Sequence, residues 1–282
     1  MEIKLGDYNT LTITRFTESG AYLDAGNGLE ILMPRRYTTE QMHAGDEVRV
    51  FVYLDQENRP VATTETPLAK VGEFACLEVA WRNKYGAFLN WGLMKDLFVP
   101  YSEQRNKMEQ GGHYVVYIYV DEPSGRIVGT SKLTRHITQD TGALQVNDEV
   151  EIIVYRRTQM GYKAIILGPN CEGLLYHNEI FRPLAYGDRL KAYVKKVRDD
   201  GQVDLALQLD GRRHTEDFAV TLLRSLQDKP NHFIALNDKS DPEDIYNYFG
   251  VSKKTFKRAV GALYKERLIE ITPDGICIAL LP

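Results

Sequence analysis

Apolar and polar residues alternate along most of the first 209 residues, which is the pattern of half-buried β-strands. The alternation is organised as an internal repeat, because the segment Gly20–Leu23 recurs as Gly86–Leu89 and, more weakly, as Gly161–Ala164. Apolar residues lie seven and nine positions before each of these glycines, so each glycine ends a predicted strand. The pattern therefore predicts three copies of one small β-unit.

Each copy continues with the same order of elements. A short apolar strand comes next, then a polar loop, a Gly-Asp or Gly-His pair that opens a longer alternating strand, a hairpin turn and a final short strand. Five short strands in roughly 65 residues suit a Greek-key barrel of the OB type, which leaves no open edge. We predict three tandem five-stranded OB folds at residues 1–70, 71–137 and 144–209, with the insertion from Thr134 to Ala143 as a linker.

The apolar spacing changes to 3.6 residues after Leu209, which predicts helices. A first helix is expected over roughly residues 216–227, a second from an N-cap at Asp241 to Gly250, and a third that is capped by Ser252. The short turn between the last two is typical of a helix-turn-helix, and a hairpin around Pro273–Gly275 follows. Residues 210–282 therefore predict an α+β winged-helix domain, and the whole chain a multidomain, mainly β protein.

The composition is that of a folded protein, since the chain has 282 residues, a net charge of -4 and 43% hydrophobic residues. It has no apolar run of about 18 residues and no signal-peptide order at its N-terminus, so we expect a cytoplasmic protein without membrane contact. The 3 cysteines are scattered without a C-x-x-C pair, which favours buried thiols over disulfides or a zinc site. The overall acidity argues against a protein that coats nucleic acid by bulk charge.

Motifs for catalysis are missing from the sequence. It contains no P-loop, no G-x-G-x-x-G opening a helix, no H-E-x-x-H and no G-x-S-x-G, and its 6 histidines are dispersed one by one. The sequence therefore favours a binding protein over an enzyme, with no catalytic residues, no metal and no cofactor.

The second unit carries the residues that best suit a single-stranded nucleic acid. OB folds bind single strands by stacking bases on exposed aromatic rings while nearby cations hold the phosphates. Lys84, Tyr85 and Phe88 stand around the repeat glycine, and Arg126 follows in the last turn. The alternative is that Phe88 and its counterpart Tyr22 simply fill their barrels, as strand aromatics often do.

Trp81 is the ambiguous aromatic of this unit. It shares its strand parity with Leu77 and Val79, which would place it in the core. Its counterparts in the other two units are Arg15 and Arg156, which are poor candidates for burial. We therefore expect Trp81 on the surface.

Two basic clusters lie outside the second unit. In unit three, one predicted strand carries the lysines Lys195 and Lys196. Nearby aspartates offset their charge, so the alternative is a solvated strand edge that binds nothing. In the third predicted helix, the first two turns carry four basic residues at i, i+4 spacing, and no glutamate lies among them: Lys253, Lys254, Lys257 and Arg258. This pattern favours contact with nucleic acid. The alternative is that these residues form a solvated helix face.

The three units resemble the S1 RNA-binding domain, an OB fold. The resemblance rests on Y-G-A-F at Tyr85–Phe88, G-L-L-Y-H at Gly173–His177 and the S-G-R turn at Ser124–Arg126. The order of three such units and a winged helix, with G-V-S-K-K-T-F-K-R-A-V-G-A-L-Y-K at Gly250–Lys265, is similar to the conserved virulence factor B family of bacterial RNA-binding proteins. The resemblance covers nearly the whole chain and implies RNA binding and post-transcriptional control of gene expression in the bacterial cytosol, without catalytic residues.

The resemblance also implies site residues. In the general S1 domain two aromatics flank the glycine, a histidine ends the third strand and an arginine follows the turn. By position, the first aromatic is Tyr85, the second is Tyr22, Phe88 or Tyr162, and the arginine is Arg59 or Arg126. The chain departs from the pattern at the remaining positions: Ser19 and Met160 replace the first aromatic, and Met33, Val99 and Tyr176 occupy the histidine position, with His177 one residue late. Unit two therefore retains more of the RNA-binding positions of the S1 domain than units one and three do.

Three functional hypotheses follow. The first is a cytosolic regulator that binds single-stranded RNA through several weak modules in tandem, with the winged helix assisting. The second is a winged-helix regulator that binds DNA, with the barrels as sensors or docking modules. The third is an adaptor that binds the ribosome or another protein. The first unit has 7 Lys+Arg against 11 Asp+Glu in residues 1–71, which indicates a spacer rather than an RNA-binding unit.

Overall fold

The computed structural model describes residues 3–177, 180, 183–208 and 212–279, with side chains in the first helix from Phe218 onward. The chain divides into two compact units, one formed mainly by residues 1–138 and the other mainly by residues 139–282.

The first barrel is closed and has the strand order β1-β2-β3-β5-β4. Its apolar core contains Leu11, Ile13, Leu23, Met33 and Val50, which alternate with outward residues along the strands. The neighbours β3 and β5 are parallel and the other pairs are antiparallel. The strands are β1 (Asp7–Thr17), β2 (Gly20–Gly26), β3 (Leu29–Pro34), β4 (Glu47–Leu54) and β5 (Pro60–Thr63).

The second barrel repeats this topology as β6 (Phe74–Arg82), β7 (Gly86–Asn90), β8 (Leu97–Pro100), β9 (His113–Asp121) and β10 (Arg126–Thr130). It shares its apolar core with the first barrel. Phe51, Tyr53 and Val61 of the first barrel pack in one cluster with residues of the second, and the Phe51 ring meets Trp91 edge-on at 5.9 Å. These two barrels are therefore joined by continuous hydrophobic packing.

The third barrel, in the second unit, is also closed, with the order β11-β12-β13-β15-β14. Ile152, Val154, Leu175, Val194 and Leu205 are buried in its core. Its strands are β11 (Glu149–Arg157), β12 (Gly161–Ile166), β13 (Cys171–Tyr176), β14 (Arg189–Val197) and β15 (Val203–Ala206).

A β-bulge interrupts the first strand of every barrel at the same place. The register shifts between Ile13 and Arg15 in β1, between Val79 and Trp81 in β6, and between Val154 and Arg156 in β11. Because a bulge adds one residue to one strand, it reverses which face the following side chains occupy. Trp81 is consequently 43% exposed although it follows the buried Val79 by two residues.

The C-terminal domain is built from α1 (Arg212–Gln227), β16 (Phe233–Ile234), α2 (Pro242–Phe249), α3 (Lys253–Lys265), β17 (Ile269–Thr272) and β18 (Gly275–Ile278). The side chain of Asp241 caps α2 and that of Ser252 caps α3, while Gly250 adopts φ +69° at the end of α2. The helices close on a core that includes Leu222, Ile245, Phe256 and Leu263.

The predicted fold class is confirmed: three closed five-stranded barrels are followed by a domain of three helices and a three-stranded sheet, within the described residues. Two details differ from prediction. Helix α1 begins at Arg212 rather than near residue 216, and the two-residue strand β16 was not predicted because it is too short for any periodicity.

The cysteines correct one expectation. All 3 are free thiols, but only Cys171 is buried, whereas Cys76 and Cys277 are partly exposed.

Of the helices in the described part of the chain, none is long and apolar enough to cross a membrane.

Candidate nucleic-acid interface

A groove of about 600 Å³ lies on the face of the second barrel that strands β7, β8 and β10 form, next to the β4–β5 turn of the first barrel. Both barrels contribute to its wall. The lining includes Tyr85, Phe88, Phe98 and Arg126 from the second barrel and Tyr53, Gln56 and Asn58 from the first.

Three aromatic rings form a row across the neighbouring strands β6, β7 and β8. Trp81 and Phe88 are stacked with a centroid distance of 3.7 Å and an interplanar angle of 3°, and Phe98 follows at 4.9 Å from Phe88. The indole N–H of Trp81 donates to Asp96 at 2.8 Å, which fixes the end of the row. Because Trp81 already covers one face of Phe88, the Phe88 ring serves as the apolar floor of the groove rather than as an isolated stacking platform.

Tyr85 is the ring that stands open to solvent at the rim of the groove, with an exposure of 63%. The carboxamide oxygen of Asn83 accepts the backbone N–H groups of Tyr85 and Gly86 at 2.8 and 3.2 Å, which fixes the turn that carries Tyr85. Lys84 places its ammonium group 5.0 Å from the centre of the Tyr85 ring. The rim therefore combines an aromatic surface for a base with a cation for a phosphate.

Two further cations line the groove. The Lys95 ammonium donates to the backbone carbonyl of Asp55 at 2.6 Å, and burial lowers the pKa of Lys95 from its ordinary value. Arg126 is exposed, and its guanidinium makes no hydrogen bond or ion pair with any other residue that the structure describes. Arg126 is thus available to a phosphate or a base edge.

The corresponding face of the first barrel has its own groove of about 600 Å³, which includes Tyr22 and Arg59. Its cations are already engaged. Arg15 lies 3.9 Å from the centre of the Tyr22 ring and pairs with Glu30 at 2.7 Å, which holds the pKa of the Glu30 carboxyl below its usual value. Arg59 pairs with the two carboxylates of its own turn, with Asp55 at 2.7 Å. This face therefore offers little uncompensated positive charge to a phosphate.

The third barrel brings only part of its predicted set together. Tyr162 meets the exposed His177 edge-on at 5.9 Å. The Tyr176 hydroxyl accepts a hydrogen bond from Arg198, which also pairs with Asp204 at 2.6 Å. Two exposed lysines lie farther along β14, Lys195 and Lys196. In this barrel too, an arginine beside the aromatic face is committed to a carboxylate.

Helix α3 carries its basic residues on the side opposite its buried stripe. Phe256, Ala259, Val260 and Leu263 are buried, and no acidic residue lies in the first turn. Cations at a helix N-terminus oppose the helix dipole and lower helix stability, so their presence there favours a binding role. The exposed ones are Lys254, Lys257 and Arg258, whereas Lys253 is half-buried with its ammonium 3.4 Å from the carbonyl oxygen of Lys239.

Several groove residues were not predicted as site residues. Phe98 could have been found, because it lies between the buried Leu97 and Val99 on a strand and must face outward. Gln56 and Asn58 gave no local signal, since their position depends on how the first barrel packs against the second. Lys95 was missed for the same reason.

Tandem OB barrels with an aromatic and basic groove, followed by a winged helix, define a nucleic-acid-binding protein. The model of the S1 domain matches residues 5–65 and 71–132, and the model of the CvfB-like winged helix domain matches residues 220–278. These matches confirm the predicted resemblance to the conserved virulence factor B family.

Related proteins align with nearly the whole chain. The Bacillus subtilis (strain 168) protein named uncharacterized protein YitL is 28% identical, with 92% of this chain and 89% of that protein covered. Conserved virulence factor B of Staphylococcus aureus (strain N315) is 24% identical, with 90% and 86% covered. A crystal structure from Streptococcus pneumoniae TIGR4, described as a multidomain protein with nucleic acid binding domains, is 25% identical and covers 97% of this chain and 98% of its own, with a TM-score of 0.44.

Proposed function

We propose that this protein binds single-stranded RNA through the groove of the second barrel, and that it acts in the cytoplasm as a post-transcriptional regulator without catalysing a reaction. The groove is the observation that carries the proposal. It joins an apolar floor at Phe88 and Phe98, an exposed ring at Tyr85 and an unengaged guanidinium at Arg126.

The dimensions of the groove favour a single strand. A base can enter a groove of about 600 Å³ only when it is unpaired and unstacked from its neighbours, as in loops and single-stranded segments. An A-form duplex hides its base faces and presents mainly phosphates and 2′-hydroxyls. RNA rather than DNA is favoured by the S1 domain match.

The other modules contribute weaker contacts in this proposal. The first and third barrels hold arginines in ion pairs with Glu30 and Asp204, so their faces attract phosphate less strongly. Because they are linked to the second barrel, even weak contacts raise the overall affinity through effective concentration. The winged helix assists in the same way through α3.

A second candidate function is binding to duplex DNA through the winged helix. The observation that favours it is the basic N-terminal half of α3, which follows the short turn of a helix-turn-helix as recognition helices do. In that case the barrels would not determine the affinity for nucleic acid.

Fluorescence anisotropy of the full chain with labelled single-stranded RNA, single-stranded DNA and duplex DNA of equal length, each across a salt series, tests the proposal. We expect the tightest binding to RNA, with a shallow salt slope because stacking contributes part of the free energy. Preference for the duplex with a steep slope would instead assign the function to the winged helix. An absence of binding to all three, with co-sedimentation with ribosomes, would support an adaptor.

The two turn arginines should differ in their contribution. The substitution Arg126→Ala should weaken binding to single-stranded RNA several-fold and reduce the salt slope by about 0.7, because one phosphate contact is lost. The matched change Arg59→Ala should leave both nearly unchanged, since Asp55 and Glu57 already neutralise Arg59. Equal losses in the two variants would contradict the assignment of the groove to the second barrel.

A further inference from the structure

The groove of the second barrel has a wall that the first barrel supplies. The β4–β5 turn contributes Gln56 and Asn58 to the lining, beside Tyr53 from the end of β4. Both amide side chains belong to exposed residues, and neither is hydrogen-bonded to another residue in the described part of the chain. Their donors and acceptors are therefore available to a ligand in the groove.

The turn is held rigidly where it meets the second barrel. The Asp55 carboxylate accepts the backbone N–H groups of Glu57 and Arg59, both at 2.9 Å. Lys95 of the second barrel donates to the Asp55 carbonyl at 2.6 Å, which ties the turn to the rim of the groove. Asn58 adopts φ +62°, a left-handed conformation that asparagine tolerates well. A fixed backbone places the amides at low entropic cost to binding.

The opposite rim presents a third amide. The carboxamide oxygen of Asn83 accepts two backbone N–H groups, so its NH₂ end remains as a donor in the lining of the groove. Polar hydrogen-bonding groups thus stand on both sides of the aromatic floor made by Phe88 and Phe98. A ligand that matches this arrangement is flat, apolar on its faces, and carries donors and acceptors along its edge. An unpaired nucleobase has this chemistry.

We propose that the β4–β5 turn of the first barrel reads the identity of a base held in the groove of the second barrel, through the amides of Gln56 and Asn58. This inference rests on the proposed function and adds base selectivity to it. A planar amide offers one donor and one acceptor side by side and can therefore pair with a base edge at two points, as Asn and Gln do with adenine. The first barrel is then a specificity element rather than a spacer.

The test compares base selectivity in the full chain with that in the double variant Gln56→Ala/Asn58→Gly. Glycine keeps the left-handed turn at position 58 while it removes the amide. The probes are labelled oligo(A), oligo(C) and oligo(U) RNA of equal length. Selectivity is the Kd of the probe that binds most weakly divided by the Kd of the probe that binds most tightly. We expect the native protein to discriminate by roughly 5- to 150-fold. In the variant this ratio should fall toward one, while the affinity for the weakest probe changes less than about twofold.

The matched control is Glu57→Ala, which alters the same turn at a residue that pairs with Arg59 and does not line the groove. This control should keep the selectivity ratio of the native protein. The inference is overturned if the native protein shows no selectivity, or if the double variant retains it. Failure of the proposed function is a separate result, because the native protein would then bind none of the three probes.

Discussion

Replacing Tyr85 and Phe88 together with alanine should weaken binding to single-stranded RNA by about 30-fold or more. Stacking of a base on an aromatic side chain contributes roughly 1 to 3 kcal/mol, and the double variant removes both the exposed ring at the rim and the floor of the groove. The loss should be similar for every RNA sequence, because each base has a face that can stack. Anisotropy titrations at fixed salt measure it directly.

The control for this prediction is Tyr22→Ala, at the position equivalent to Phe88 in the first barrel. Because Arg15 covers the Tyr22 ring, removal of the Tyr22 ring should change the RNA affinity less than about twofold. Since Phe88 is half-buried, the single variant Tyr85→Ala separates binding from folding: its ring is 63% exposed and its loss should leave the unfolding midpoint unchanged. Full RNA affinity in the double variant would refute the proposed site.

Substituting Gly86 with alanine should destabilise the first two barrels by roughly 2 to 3 kcal/mol. A Cβ atom at this position would lie 2.4 Å from the carbonyl oxygen of Val99 and 2.8 Å from the Cα of Pro100, so β7 and β8 would have to separate. These two contacts are with backbone atoms and cannot be relieved by rotating a side chain, and the Phe98 ring lies 2.8 Å from the same position. The 2 tryptophans of the chain, Trp81 and Trp91, lie in this barrel, so urea unfolding followed by tryptophan fluorescence reports the change.

The same substitution at Gly261 should have the opposite effect. A Cβ at this position of α3 meets no atom within 4 Å, and alanine is favoured over glycine in a helix by about 0.5 to 1 kcal/mol. Helicity measured by circular dichroism should therefore become more resistant to urea, while the tryptophan transition stays in place. For Gly86→Ala, the contradicting result is an unfolding transition, followed by tryptophan fluorescence, at the same urea concentration as in the native protein. That result would show that β7 and β8 tolerate a side chain between them.

Much of the fold was predictable because local patterns determine it. The repeated glycines mark the close approach of two strands, and Gly86 shows why no side chain fits there. The exposure of Trp81 was predictable only by comparison with Arg15 and Arg156, since strict alternation would have buried it. The reason is the bulge after Val79, which alternation rules do not contain.

The site was less predictable because its geometry depends on contacts between distant residues. The sequence places Arg59 and Arg126 at equivalent turn positions, yet Arg59 is paired with Asp55 while Arg126 is not paired with any described residue. Likewise, no periodicity indicates that Gln56 lines a groove on the next barrel. Sequence repetition predicts equivalent folds but not equivalent surroundings.

The core that Phe51 and Trp91 share has a consequence for how the protein can be divided. Unfolding of either of the first two barrels would expose apolar surface on the other. The two barrels should therefore unfold as one cooperative unit, although they are separate repeats in the sequence. The second barrel transplanted alone into another protein would carry an open hydrophobic flank and an incomplete groove. The smallest portable nucleic-acid-binding module of this chain is therefore expected to be a pair of barrels.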